Sequence, residues 1–262
     1  MRSWQRDKRI AMHESSIIKV SRKATVRLHD VYDGMQCAIV DEFLDDPQSI
    51  VSNAFAYAGD FVSDPRGHPG RGKDLDQPQL EEIRRYIRSE FSRSFPFHRA
   101  GIMIKAFLSN VSLKPEELSI SQRMCHIDPR LRPDCDTYAG VLYLFDDPGL
   151  GGTAFYRWRA RHLANDAYRL LAQDSDAALL YLRERSEYFR KPPEYMTSSN
   201  DIAELVDVVP AKFNRLVFYS GEIPHSGHIT RPELLSNDPA KGRLTLNIFV
   251  SVRARKTAGA FG

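Results

Sequence analysis

The strongest constraint on the fold is a change of texture in the middle of the chain. Residues 157–190 hold neither proline nor glycine and are rich in Ala, Leu, Arg and Glu, which reads as one or two helices. On either side, short β-branched and aromatic runs are broken by turn residues. They fall at 102–109, 118–124 and 138–145 before this block, and at 205–209, 215–219 and 243–253 after it. Strands that do not alternate with helices favour an antiparallel sandwich or jelly roll over a parallel sheet.

The N-terminal part adds helices. Residues 1–16 read as a polar tail with no apolar run behind the basic residues, so no signal peptide is expected. Strand candidates IIKV, ATVRL and CAIV follow, with Asp33-Gly34 as a turn pair. Asp45-Asp46-Pro47 opens a helix over 48–58. Residues 63–78 read as a loop made basic by Arg66, His68 and Arg71, and 80–95 as an amphipathic helix through Leu80, Ile83, Ile87 and Phe91. The expectation is one domain over 17–262, with a β core at about 100–156 and 205–253 and a helical insert at about 157–193.

Composition removes several classes. With 37 Lys+Arg against 34 Asp+Glu, the 262 residues carry a formal charge of +3 spread along the chain, which does not indicate a nucleic-acid binder. Cys37, Cys125 and Cys135 form no C-x-x-C pair, so neither a disulfide framework nor a structural zinc site is expected. No apolar run approaches the length of a membrane span. A soluble, cytoplasmic protein is expected, acting on a small molecule, an amino acid or a peptide; oligomeric state is not readable.

Among eight histidines, one is followed two positions later by an acid at the end of a strand candidate: His126-Ile127-Asp128. Alternation along a strand places positions i and i+2 on one side, so the imidazole and the carboxylate converge. A second imidazole would complete the two-histidine, one-carboxylate face used by non-haem iron(II). His225 follows a strand and a Ser-Gly turn in RLVFYSGEIPH; His228, three residues on, competes with it on spacing.

Four stretches in order resemble the iron(II)/2-oxoglutarate-dependent dioxygenases, in their prolyl-4-hydroxylase-like branch. They are the H-x-D at 126–128; the strand and Gly-Gly-x-Thr-x-Phe-like element TYAGVLYLFDDPGLGGTAFY, with Gly151, Gly152, Thr153 and Phe155; RLVFYSGEIPHSG; and Gly242-Arg243-Leu244-Thr245. An early DEFLDDP and a central GGTAFYR also resemble an uncharacterised bacterial group. The resemblance implies a mainly β protein, a double-stranded β-helix (a cupin-like jelly roll) with N-terminal helices and a helical insert. It implies iron(II) held by His126, Asp128 and His225, or His228 in place of the last, with 2-oxoglutarate and O2 as co-substrates. Arg243 would meet the distal carboxylate of 2-oxoglutarate, for which a planar fork of donors is suited, and Thr245 would add a hydroxyl. The strand before H-x-D lacks the family's usual aromatic, leaving Tyr138, Tyr143 or Gln122 to substitute. The activity implied is hydroxylation, desaturation or cyclisation with release of succinate and CO2. The insert would be either a lid, through Trp158, Arg159, Arg161 and Tyr168, or an outer buttress. Competing readings are a cupin-like metal-binding protein without oxidative activity, a non-catalytic scaffold, and a nucleic-acid demethylase of the same superfamily. The demethylases resemble this chain at H-x-D but carry a second arginine where Phe249 stands.

Overall fold

The computed structural model describes residues 18–63, 67–97, 101–130 and 132–253; the polar tail and Arg66 lie outside them. An eight-stranded antiparallel sheet runs in the order β1 (Arg27–Tyr32), β2 (Met35–Val40), β9 (Leu216–Ser220), β6 (Cys135–Tyr143), β11 (Arg243–Arg253), β5 (Met103–Val111), β4 (Gly70–Asp74), β3 (Val62–Ser63). A smaller sheet orders β10 (His225–Gly227), β7 (Thr153–Trp158) and β8 (Ala203–Val209). A bridge between His126 and His225 adds the segment around residue 126 to its β10 edge.

Followed along the chain, the core visits the two sheets in turn. β5 is in the large sheet, the His126 segment in the small one, and β6 in the large. β7 and β8 are in the small sheet, β9 in the large, β10 in the small and β11 in the large. That path is a double-stranded β-helix, the jelly roll the strand pattern favoured. Residue parity sorts the side chains of β6 and β11. Ala139 and Tyr143 point into the barrel with Phe155, Val209, Val217, Tyr219 and Ile223. Tyr138, Leu142, Leu244, Leu246, Ile248 and Val250 point outward.

Each outer face is covered by helices. Helix α1 (Pro47–Ala56) is capped by Asp46, whose side chain accepts from the Ser49 N–H, and it opens on a proline. With α2 (Glu81–Tyr86), it lays Val51, Ala54 and Ile83 on the large sheet, and the turns after α2 add Ile87 and Phe91. The insert forms α3 (Arg161–Leu171) and α4 (Ser175–Arg185), whose Leu163, Ala167, Ala178 and Leu182 pack on Ala154, Tyr156 and Ala203 of the small sheet. The insert is therefore a buttress and not a lid.

Three expectations are corrected. Residues 118–124 are not a strand but contain the 3-10 turn Ser121–Arg123, because Gln122 Oε1 accepts the Ser119 N–H and closes the chain locally. The 63–78 loop contains β4, paired to β5 from Gly70↔Val111 to Asp74↔Phe107. The helical block begins at Arg161, since β7 continues to Trp158.

Candidate metal centre

His126 and His225 are locked opposite each other by backbone: the His126 N–H donates to the His225 carbonyl at 3.0 Å and the His225 N–H to the His126 carbonyl at 2.9 Å. Their ring centroids lie 4.5 Å apart. The Asp128 N–H donates to the Gly221 carbonyl at 2.8 Å, which draws the carboxylate beneath the same pair. Position 221 must be glycine for this approach, because a Cβ there would sit 2.8 Å from the Asp128 Cβ and 2.9 Å from its Oδ2. One donor atom from each of His126, Asp128 and His225 falls within 4.8 Å of the others.

The protonation pattern suits a cation. His225 Nδ1 lies 2.8 Å from the Ile223 carbonyl. A carbonyl only accepts, so Nδ1 carries the proton and the Nε2 lone pair is left free, 3.8 Å from Asp128 Oδ2. Burial pushes both imidazoles down to about 4, His126 also by the facing His225. Burial likewise pushes the Asp128 carboxyl up to about 6, against the pull of His126. At neutral pH the group is two neutral imidazoles and one carboxylate. Asp128 Oδ2 is buried with no hydrogen-bond partner among the described residues, which is costly for an anion unless a cation is there to receive it. Two imidazole nitrogens and one carboxylate oxygen fit a divalent metal with one side left open.

Deeper in the barrel, Arg243 is 5% exposed. Its Nε donates to the Leu150 carbonyl at 3.0 Å and its Nη2 to the Gly152 carbonyl at 3.1 Å. Its guanidinium lies over the Phe145 ring at 5.6 Å. No carboxylate of the described residues pairs with it. The Gly151-Gly152 element makes this possible: a Cβ on Gly151, at φ +78°, would sit 1.8 Å from the His228 carbonyl oxygen, and a Cβ on Gly152 2.0 Å from the Val209 carbonyl oxygen. A buried, unpaired guanidinium is an invitation to an anion.

Of the residues singled out from the sequence, His126, Asp128 and His225 come together. His228 does not: its Nε2 meets the Thr197 carbonyl at 3.1 Å. Arg243, Thr245 and Tyr143 share the inner wall. There the Tyr143 hydroxyl pairs with Thr153 Oγ1 at 2.7 Å and Thr245 Oγ1 with Asn247 Oδ1 at 3.2 Å. Tyr138 is excluded as a co-substrate residue by parity, since its ring stacks on Phe218 and meets Phe95 and Phe97 on the outer face. Gln122 is engaged with the His68 carbonyl at 3.1 Å. Sequence reasoning missed Gly221 and Tyr219. Tyr219 is an inward position on β9, and only its parity with Val217 in RLVFYS signals this.

Residues 22–250 match the model of DUF6445, a family of unknown function. No curated protein matches the chain. Among solved structures, HygX from Streptomyces hygroscopicus, with nickel, 2-oxoglutarate and hygromycin B bound, is 10% identical over 85% of this chain and 85% of its own, at a TM-score of 0.40. EvdO2 from Micromonospora carbonacea var. aurantiaca is 12% identical over 90% and 96%, at 0.41. The non-heme alpha ketoglutarate dependent epimerase SnoN from nogalamycin biosynthesis is 13% identical over 87% and 84%, at 0.36. Likenesses of that size carry nothing about this chain's chemistry. The match that spans the β-helix and its metal-ligand candidates is the family one, and by it the chain belongs to DUF6445.

Proposed function

We propose that the protein is an iron(II)- and 2-oxoglutarate-dependent oxygenase of the prolyl-4-hydroxylase-like branch. Its reaction would be hydroxylation of an unactivated C–H bond in a small molecule, an amino acid or a peptidyl residue. The balance is one O2 and one 2-oxoglutarate consumed, with one oxygen atom entering the substrate C–H and the other the succinate formed as CO2 leaves.

The observation that carries the reading is the presence of two complementary demands in one barrel. A three-donor group with an unpartnered carboxylate oxygen calls for a cation. A buried guanidinium without a counter-ion among the described residues calls for an anion. A dicarboxylic keto acid that chelates a metal at one end answers both. Bound iron supplies the activation of oxygen. The chain's own part is binding and exclusion. His225 Nε2, a ring nitrogen of His126 and Asp128 Oδ2 hold the metal and leave its remaining positions to ligands. Arg243 receives the distal carboxylate and fixes its direction, since two of its donors are already anchored to backbone. Phe155, Ile223, Ile229 and Leu235 line the same interior and keep bulk water out. A nucleic-acid substrate is disfavoured because Phe249 stacks on Phe107 at 6.0 Å where the demethylases carry arginine. A cytoplasmic location belongs to this proposal.

The test is anaerobic titration of the apo-protein with iron(II) and then 2-oxoglutarate. Chelation by the keto acid produces a weak visible charge-transfer band in the wild type and none in His126→Ala. Absence of the band in the wild type removes the proposal. Substrate-stimulated succinate release, screened over candidate compounds, then identifies what is oxidised.

A further inference from the structure

The small sheet does not cover the whole inner face of the large one. By parity with Arg243 and Thr245, the inward residues of β11 go on to Asn247 and Phe249, and their partners on β5 are Phe107 and Lys105. Of the inward residues on β5, Val111 joins the buried apolar cluster of the barrel. Phe107 is half-buried, and Met103 and Lys105 are exposed, Met103 at 43%. Phe249 and Val141 beside them are half-buried. This uncovered stretch adjoins the metal-ligand candidates. One row across the sheet reads Tyr219, Ala139, Phe249, Lys105, and the Tyr219 ring meets the His225 ring at 4.7 Å. Only the methyl group of Ala139 stands between Tyr219 and Phe249. With strands about 4.8 Å apart, the row is roughly 14 Å long, the span of a small molecule.

The chemistry of the stretch is aromatic with a cation at its rim. The Phe107 and Phe249 rings lie 6.0 Å apart at 12°. The His68 ring meets Phe107 edge-on at 5.9 Å and 71°. It is held there by Ser109 Oγ, 2.8 Å from its Nε2, and by Gln122 Nε2, which donates to the His68 carbonyl at 3.1 Å. Lys105, across from Phe249, pairs with no carboxylate among the described residues. Asp74 stands one strand further out, opposite Phe107.

We propose that the substrate is a small aromatic monocarboxylic acid, with its ring against Phe107 and Phe249 and its carboxylate on the Lys105 ammonium. This rests on the proposed function and names the substrate class of the same site. Apolar side chains left open beside a polar centre are the mark of a ligand wall. Aromatic partners gain beyond the area they bury, so a chain of three rings favours a ring over an aliphatic body. A lysine is a point charge and suits one carboxylate. The nearby Asp74 carboxylate repels a second negative charge, which disfavours phosphates and dicarboxylates.

The test is a ligand-observed NMR titration of the full chain with zinc(II) and saturating 2-oxoglutarate present. The probes are phenylacetate, 3-phenylpropionate and 4-phenylbutyrate, the primary amide of each, and 3-cyclohexylpropionate. At least one aryl acid should bind roughly three- to fivefold more tightly than its amide, the size of a solvent-exposed ion pair. Lys105→Gln should erase that preference by weakening the acid alone, with an unchanged melting temperature because the side chain is exposed. Phe249→Leu, which keeps an apolar side chain and removes the ring, should weaken acid and amide alike by roughly tenfold. The proposal is overturned if none of the aryl acids binds, if acid and amide bind equally, if the preference survives Lys105→Gln, or if 3-cyclohexylpropionate binds as tightly as 3-phenylpropionate. A wild type without the charge-transfer band removes the proposed function, whereas these titrations report the acid site alone, so the two failures are distinct.

Discussion

Gly221→Ala inserts a methyl group where the Asp128 side chain already lies. The new Cβ would sit 2.8 Å from the Asp128 Cβ and 3.2 Å from the Thr137 carbonyl oxygen. Carbon atoms in contact normally stand about 3.5–4.0 Å apart, so relief requires a movement of roughly 0.7 Å or more. Neither side yields easily: the Asp128 N–H is bonded to the Gly221 carbonyl and the Gly221 N–H to the Thr137 carbonyl, each at 2.8 Å. Metal–ligand distances tolerate only about 0.2 Å, so the carboxylate is displaced well beyond that range. The expected consequence is a metal dissociation constant raised about 10- to 100-fold or more, with an overpacking cost to stability of about 1–3 kcal/mol. The assay is a cobalt(II) titration read by its visible d–d absorption, alongside a thermal melt of the apo-protein. Gly59→Ala is the control, since nothing lies within 4 Å of a Cβ there. Wild-type cobalt affinity in Gly221→Ala would refute either the packing at this contact or the role of Asp128.

Two further outcomes follow from other parts of the molecule. Leu182, fully buried where the insert meets the small sheet, should cost about 2–5 kcal/mol when truncated to alanine, while keto-acid affinity of the folded fraction is unchanged. A melt that does not move, with altered affinity, would restore the lid reading. Asp41 receives the Arg215 Nε at 2.6 Å and Nη2 at 3.0 Å, and this guanidinium holds its carboxyl below the usual range. A depressed carboxyl stabilises the fold above its unfolded pKa and loses that contribution as pH falls through the folded one. Asp41→Asn should therefore be less stable than the wild type at pH 7, by under about 1 kcal/mol because the pair is partly exposed. The two melting curves should converge in acid, and a gap that persists at pH 2 counts against the ion pair as its source.

Much of this architecture was legible where local chemistry and tertiary demand agree. Asp33-Gly34 adopts the two positive φ values, 49° and 78°, of a tight hairpin turn between β1 and β2. The run from Arg243 to Arg253 alternates as a strand paired on both sides must, with Arg243 and Thr245 inward. His126 and Asp128 were found because two residues apart means one side of an extended chain, and that holds even though only His126 is bridged. The illegible parts depend on partners far away. β4 reads GRGKD, a loop by composition. It pairs because bare glycines let its backbone reach β5: a Cβ on Gly70 would be 2.1 Å from the Asn110 carbonyl oxygen. LSISQRM alternates like a strand, yet one side-chain bond from Gln122 turns it back. Tyr219 and Gly221 could be placed in a strand and a turn, but not against His225 and Asp128, because those contacts exist only once the two sheets close.

The central claim is that one divalent cation is held by His126, Asp128 and His225. Crystals soaked under argon with iron(II), with diffraction collected at the iron absorption edge, address it without reference to any activity. One strong anomalous peak per chain, bonded to those three side chains and not to His228, is the predicted result. A peak elsewhere, a ligand set containing His228, or no peak at saturating iron contradicts it.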